Sequence, residues 1–286
     1  MFKKRDSLIA IKVCIESLRK WKDDPRIWTA ALLVILFEWT KIQPVRQLCV
    51  EQGLSISNWF YPFLFSGTIN TMFFFFGIIL LSCDAPFIDK HQMFVVMRSG
   101  KKKWFIGKII YIFVASFFYF AWMYLVSIFE FIPYVGISSE WEKILEGLSI
   151  NGKVGYVMVT VPRTVIIQMT PMKAFGVSLI LCILVGTFLG LLIFHMNLYE
   201  SYNLGVSVAL VVILATGVIS VLPDEFRAKA QWISPVSWVN IEIFTLDHGG
   251  VSLVYAVSFL IIANSVLVAL IMRKAKDYNV DSMEEL

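Results

Sequence analysis

Charge is what this sequence has least of. Asp, Glu, Lys and Arg make up 16% of its 286 residues, where a soluble domain carries about a quarter. Cysteine is sparse as well: Cys14, Cys49, Cys83 and Cys182 stand far apart with no CxxC pair, which argues against a disulfide framework or a zinc site. His91, His195 and His248 show no ligand spacing of the HExxH kind, so no metal site is expected. A Gly-x-Ser-x-Gly elbow is missing, and with it the usual hydrolase nucleophile. The stretch from Gly147 to Gly152-Lys153 imitates a phosphate-binding loop, but Val154 follows the lysine and no strand pattern precedes the stretch. Such a loop needs Ser or Thr there for Mg²⁺, so this chain is not expected to hydrolyse ATP. The first residues are crossed by charge every few positions, unlike a secretory signal peptide. A net charge of +4, unevenly spread, gives no nucleic-acid footprint.

Apolar residues are abundant instead: 58% are hydrophobic and 24 are Phe. Runs of about 18 or more apolar residues read as membrane-spanning helices. They cover 59–82, 105–129, 174–194, 204–222 and 251–272, and a shorter run, 27–42, holds Glu38. Six spans and an all-α integral membrane fold are expected. Lys and Arg then set the orientation. Seventeen of the 25 fall in 1–26, 84–108 and 273–286, which puts both termini and the 84–103 connection in the cytoplasm. External regions are 131–173 and 223–250, and 273–286 is a cytoplasmic tail. Trp28 and Trp104 fall at inner boundaries, Trp39 and Trp59 at outer ones, as interfacial aromatics do.

Within 1–26, Leu8, Ile11, Ile15 and Leu18 recur at helical spacing between basic residues. That pattern predicts an amphipathic helix lying on the inner membrane face, ended by Asp23-Asp24-Pro25. The 84–103 connection is too charged to span and too apolar for bare linker. Pro86 and Gly100 bracket a short helix around 93–97, followed by lysines suited to lipid headgroups. Outside, 138–142 reads as a helix start with acidic residues in its first turn. The aromatic 231–238 stretch, broken by Pro235, reads as an interfacial or re-entrant piece.

Polar residues inside spans are functional candidates by default. Glu38 has Lys41 one turn on as a counter-charge, while Glu130 and Asn197 fall at span ends. Asn264, midway along the last span, should face protein or a cavity, and an interhelical hydrogen bond is its expected role. No convincing carboxylate pair is read within the membrane. Gly186-xxx-Gly190 and Ser265-xxx-Ala269 permit close helix approach and are read as packing signals.

The order of these features resembles the membrane permease of type-2 ABC exporters, particularly those of Gram-positive bacteria. The resemblance rests on the basic N-terminal helix ending in Asp23-Asp24-Pro25, six spans, and the connection ending Arg98-Ser99-Gly100-Lys101 before Trp104 and Gly107-Lys108. It also rests on Thr170-Pro171-Met172-Lys173-Ala174-Phe175 and on Ser234-Pro235-Val236-Ser237-Trp238, similar to a Ser-Pro-x-x-Trp element. It covers essentially the whole chain, although each motif is short and degenerate. The first span is weak and the external 131–173 region is longer than in compact members.

The resemblance implies a bacterial plasma-membrane export permease without catalytic residues or a cofactor of its own. It would pair with a second copy or paralogue and be served by two separate ATPase subunits that bind ATP and Mg²⁺. Membrane lipid surrounds it, and nucleic acid is no partner. The coupling segment would include Pro86, Phe87, Met93, Phe94, Met97 and Arg98. Family architecture suggests Phe73, Phe76, Gly77, Val211, Thr216 and Gly217 as path liners, with Asn264 as a further candidate. The alternatives are an ATP-independent membrane sensor or assembly protein, and a polytopic membrane enzyme.

Overall fold

The computed structural model describes residues 2–86, 92–136, 138, 140–151, 159–199, 202–245 and 250–277. About 82% of it is helical, so the fold is all-α. The helices are α1 (Phe2–Arg19), α2 (Pro25–Gln52), α3 (Thr68–Ser82), α4 (Gln92–Ser99), α5 (Lys101–Phe131), α6 (Lys143–Asn151), α7 (Arg163–Gln168), α8 (Pro171–Asn197), α9 (Tyr202–Ser220), α10 (Asp224–Ala230) and α11 (Leu253–Asp277). Short 3-10 turns fill Tyr61–Phe65 and much of 231–244. Two dipeptide strands, Ile56–Ser57 and Val135–Gly136, pair in parallel.

Three helices are long and apolar enough to cross a membrane: Lys101–Phe131, Pro171–Asn197 and Leu253–Lys276. Two more, Thr68–Ser82 and Leu204–Ser220, are apolar but shorter. The segment expected to span at 59–82 is therefore helical only from Thr68. Its first part is a buried turn, Tyr61–Phe65, with Tyr61 against the Phe175 ring, Phe63 against Trp141 and the preceding Phe60 against Phe131. Helix α2 is long enough at 28 residues, but Arg26, Glu38, Lys41, Arg46 and Glu51 leave it less apolar than the other three.

Local chemistry explains the element boundaries. Asp24 accepts a hydrogen bond from the Arg26 amide at 2.9 Å and Pro25 occupies the first turn, a standard helix start. At its far end α2 stops at Gly53, which takes the left-handed conformation (φ 63°), where lack of a Cβ removes the steric cost. Helix α6 begins directly after the acidic 140–142 stretch, at Lys143.

The packing is inside-out relative to a water-soluble fold only at its surface. The interior is aromatic, with Phe60, Phe63, Phe65, Phe74, Phe75, Phe120 and Trp238 at 0–1% exposure. Large apolar side chains also cover the outside: Trp28, Leu32 and Leu36 on α2, Phe113, Phe117 and Phe129 on α5, and Val254, Ile261 and Ile262 on α11 are all exposed. Apolar surface on this scale is unfavourable in water and suits hydrocarbon.

Helix α1 shows both faces clearly. Ala10, Val13, Cys14 and Ser17 are buried against α5, while Leu8, Ile11 and Ile15 point away from the protein. The close contact depends on Gly107, because a Cβ there would come within 2.7 Å of the Val13 Cβ. Trp104, expected at a membrane boundary, is instead wholly buried. Its ring faces the Lys108 ammonium 5.4 Å away.

Candidate functional site

The base of the molecule is built around the turn that leads from α3 to α4. Arg26, at the start of α2, donates to Asp84 Oδ2 at 2.9 Å and to Asp24 Oδ1 at 3.2 Å. From the other side, Asn197 at the end of α8 donates to the Ala85 carbonyl at 2.7 Å and accepts from the Gly205 amide at 2.9 Å. Residues 84 and 85 are thus gripped by α2 on one flank and by the α8–α9 junction on the other. Burial holds the Asp84 carboxyl above the usual carboxylate range, while Arg26 beside it pulls the other way. Next to this turn, Lys108 donates to Ser17 at 3.0 Å and the Trp21 indole donates to the Tyr111 hydroxyl at 2.9 Å. A polar cleft of about 330 Å³ lies between these groups.

Helix α4 hangs from this base. Val96 anchors it, at 3% exposure, against α5 and α1. Phe94 and Met97 are 70% and 69% exposed and Arg98 is exposed beside them. Of the residues expected in the coupling segment, Pro86 is buried next to Ala85, Met93 lies in α4, and Phe87 falls outside the described residues. The structure therefore gathers Phe94, Met97 and Arg98 on one outward face.

The residues suggested as path liners do not converge. Thr216 lines a polar cavity of about 260 Å³ at the other end of the molecule, with Thr71, Arg227, Ser237 and Glu242. Its hydroxyl lies 3.3 Å from that of Ser234, which in turn contacts Ser237 at 2.7 Å. Neither Phe73, Phe76, Gly77, Gly217 nor Asn264 lines that cavity. Phe73 stacks on Phe37, with ring centres 3.8 Å apart, and Phe76 packs partly buried against the core. Gly77 is filled over by the Tyr119 hydroxyl, which donates to the Phe74 carbonyl at 2.8 Å. A Cβ at Gly217 would stand 3.1 Å from the Met72 sulfur, and Val211 points outward. Asn264 donates to the Leu184 carbonyl at 3.2 Å, an interhelical bond between α11 and α8.

The small-residue pairs divide. A Cβ on Gly186 would sit 2.8 Å from the Phe120 ring and one on Gly190 2.6 Å from Ile112, so both lie where α8 crosses α5. Ser265 and Ala269 are exposed on α11 and meet no neighbouring helix of this chain closely. Ser265 bonds back to the Ile261 carbonyl at 2.7 Å.

Sequence reasoning missed one constellation. Glu38 is 0% exposed and Glu130 is 9% exposed, and among the described residues neither carboxyl has a hydrogen-bond partner. The Glu38 oxygens accept no hydrogen bond from Lys41, whose ammonium lies 5.0 Å from the centre of the Phe37 ring. Glu130, the other buried acid without a hydrogen bond, lies on α5, which packs against α2. The two belong to parallel-running α2 and α5, and two acidic positions late in neighbouring apolar runs were the only sequence signal. All four cysteines are free, and no group of three or more His, Cys, Asp or Glu gathers among the described residues.

Compared with known protein families, with curated proteins and with solved structures, the chain matches none.

Proposed function

We propose that this chain is the permease subunit of an ATP-binding-cassette exporter of the type-2 kind, seated in a bacterial plasma membrane with both termini cytoplasmic. In this reading α2, α3 and α9 join the three long apolar helices to make six spans. Helix α1 lies in the interface, its Leu8–Ile11–Ile15 edge in lipid and its other face on α5. Two permease chains would pair, and a separate ATPase on each would supply the energy.

The observation that carries the reading is helix α4. A short helix that leaves a Phe, a Met and an Arg outward, on the side rich in Lys and Arg, offers an apolar anchor with a charged rim, the composition that concentrates binding energy in interfaces. The turn before it is bonded to Arg26 and Asn197. A push on α4 would then move the start of α2 and the α8–α9 junction together, which is what a transporter must do to convert nucleotide binding into rearranged spans.

The test is co-expression with ABC ATPase subunits from the same genome, purification through a tag on this chain, and an ATPase assay. Co-purification is expected, with the activity lost when Phe94 and Arg98 are both replaced by Ala. Purification of a stable chain with no ATPase attached would overturn the proposal.

A further inference from the structure

At the end of the molecule opposite the 84–85 turn, the start of α3, the end of α9 and the turns after α10 surround the polar cavity of about 260 Å³. Its wall carries one cation and one acid, Arg227 and Glu242, with the hydroxyls of Thr68 and Ser220 and the carboxamides of Gln231 and Asn240. Arg227 pairs with Asp224 on its own helix, through Nη2, and not with Glu242. A guanidinium has five N–H donors, and the Arg227 side chain is 39% exposed, so that one contact leaves donors for a solute entering the cavity.

The frame around these groups is fixed by hydrogen bonds. Thr71 donates to the Phe65 carbonyl at 3.0 Å, and the hydroxyls of Thr216, Ser234 and Ser237 form a chain with steps of 3.3 Å and 2.7 Å. The Trp238 indole donates to the Gln231 carbonyl at 2.7 Å. Asn240 accepts from the Glu242 amide at 3.2 Å, which orients its carboxamide. A wall held in this way loses little freedom when a ligand meets it.

The composition of the wall narrows the ligand. A lone anion would gain from Arg227 and be opposed by Glu242, and a lone cation would meet the reverse. No aromatic side chain lines the cavity among the described residues, so a sugar ring or a nucleobase would find no plane to stack on. Ile219 and Ile243 are the only large apolar side chains there, too little for a lipid tail. The volume also falls below the roughly 300–1,000 Å³ of sites for drug-sized molecules. A small molecule bearing both charges fits all of this. Its carboxylate would take the planar fork of Arg227, its ammonium would meet Glu242, and a short body would lie among the hydroxyls and carboxamides.

We infer that this cavity is a binding site for a free α-amino acid, with the carboxylate on Arg227 and the ammonium on Glu242. The site belongs to this chain alone and does not depend on an ATPase partner, so it stands or falls separately from the permease reading.

The experiment follows the melting temperature of the full chain in detergent with each proteinogenic L-amino acid at about 10 mM, a concentration that registers dissociation constants up to the millimolar range. At least one is expected to raise it. Neither the carboxamide nor the N-acetyl derivative of that amino acid should do so, since each lacks one of the two charges. Calorimetric titration with the same amino acid then compares variants. Arg227→Gln and Glu242→Gln should each weaken binding by roughly tenfold or more, the scale of a lost charge-assisted contact. Asp224→Ala breaks the same ion pair from its exposed side and should leave the affinity unchanged or tighter, which separates ligand binding from a structural role of that pair. No rise in melting temperature with any amino acid would overturn the inference. So would an equal rise with either derivative, unchanged affinity in either charge variant, or a loss in Asp224→Ala as large as that in Arg227→Gln.

Discussion

The turn at residues 84 and 85 and the flank between α2 and α5 treat polar groups in opposite ways. At the turn each buried or half-buried polar group has a named partner: Arg26 with Asp24 and Asp84, Asn197 with Ala85 and Gly205, Lys108 with Ser17, Trp21 with Tyr111. On the flank, Glu38 and Glu130 have no hydrogen-bond partner among the described residues. Satisfied networks fix one arrangement and carry displacement through it, whereas orphaned buried groups cost stability and persist where a ligand or a proton uses them. The contrast separates a part of the protein whose polar groups are tied together from a part whose acids make no hydrogen bond among the described residues.

The largest effect should come from breaking the held part at Asn197, which is buried and makes two of its hydrogen bonds. Asn197→Leu removes two hydrogen bonds and leaves the Ala85 carbonyl and the Gly205 amide unpaired, each at a cost of about 1–3 kcal/mol. A marked fall in melting temperature in detergent is expected, and an unchanged melt would mean the α3–α4 turn is not held from the α8 side. Glu38→Gln should behave oppositely. Replacing a buried carboxyl that makes no hydrogen bond among the described residues by a neutral amide should leave the melting temperature unchanged or slightly raised, and a clear loss of stability would show that the flank is structural after all. Asp84→Asn should be the mildest, because both members of the Arg26–Asp84 pair are about 40% exposed and such pairs contribute at most about 1 kcal/mol.

The pH dependence of that last pair has a defined sign. Burial raises the folded-state pKa of Asp84, so its contribution to stability is full below the unfolded pKa and is lost as pH rises through the folded one. Between about pH 4 and pH 7 the wild-type melting temperature should therefore fall slightly relative to Asp84→Asn, which lacks this titration. A rise instead would mean that the Arg26 pairing outweighs burial.

Much of the fold was readable along the chain and much of the site was not, for different physical reasons. Continuous apolar runs announce α5, α8 and α11 because length and hydropathy are local properties. The break at Ser66-Gly67, which shortens α3, sits inside an equally apolar run, so hydropathy passes over it. Helix α4 was legible from the Pro86 and Gly100 that bracket it. Its outward face depends on which residue packs inward, Val96 rather than Phe94, and that is a tertiary fact. The periodicity of α1 announced a helix, and Leu8, Ile11 and Ile15 are exposed along one edge of it. The face of α1 against α5 is built from Ala10, Val13, Cys14 and Ser17 against Gly107, and that the helix turns this face inward is a tertiary fact. Glu38 drew attention through Lys41, its sequence neighbour, whereas Glu130, the other buried acid without a hydrogen bond among the described residues, lies 92 positions away in the chain.

The contact between α1 and α5 sets a timetable for biosynthesis. Ser17 precedes its partner Lys108 by 91 residues, so at about 5–20 residues per second a ribosome needs roughly 5–20 seconds to deliver the second after the first. During that wait α1 has no helix to lean on. In the membrane seating proposed above, its outward Leu8, Ile11 and Ile15, which contribute nothing to the finished interior, would keep the nascent segment at the bilayer until α5 is inserted. Polar substitutions along this edge would then lower the yield of assembled protein while leaving the melting temperature of what does assemble almost untouched.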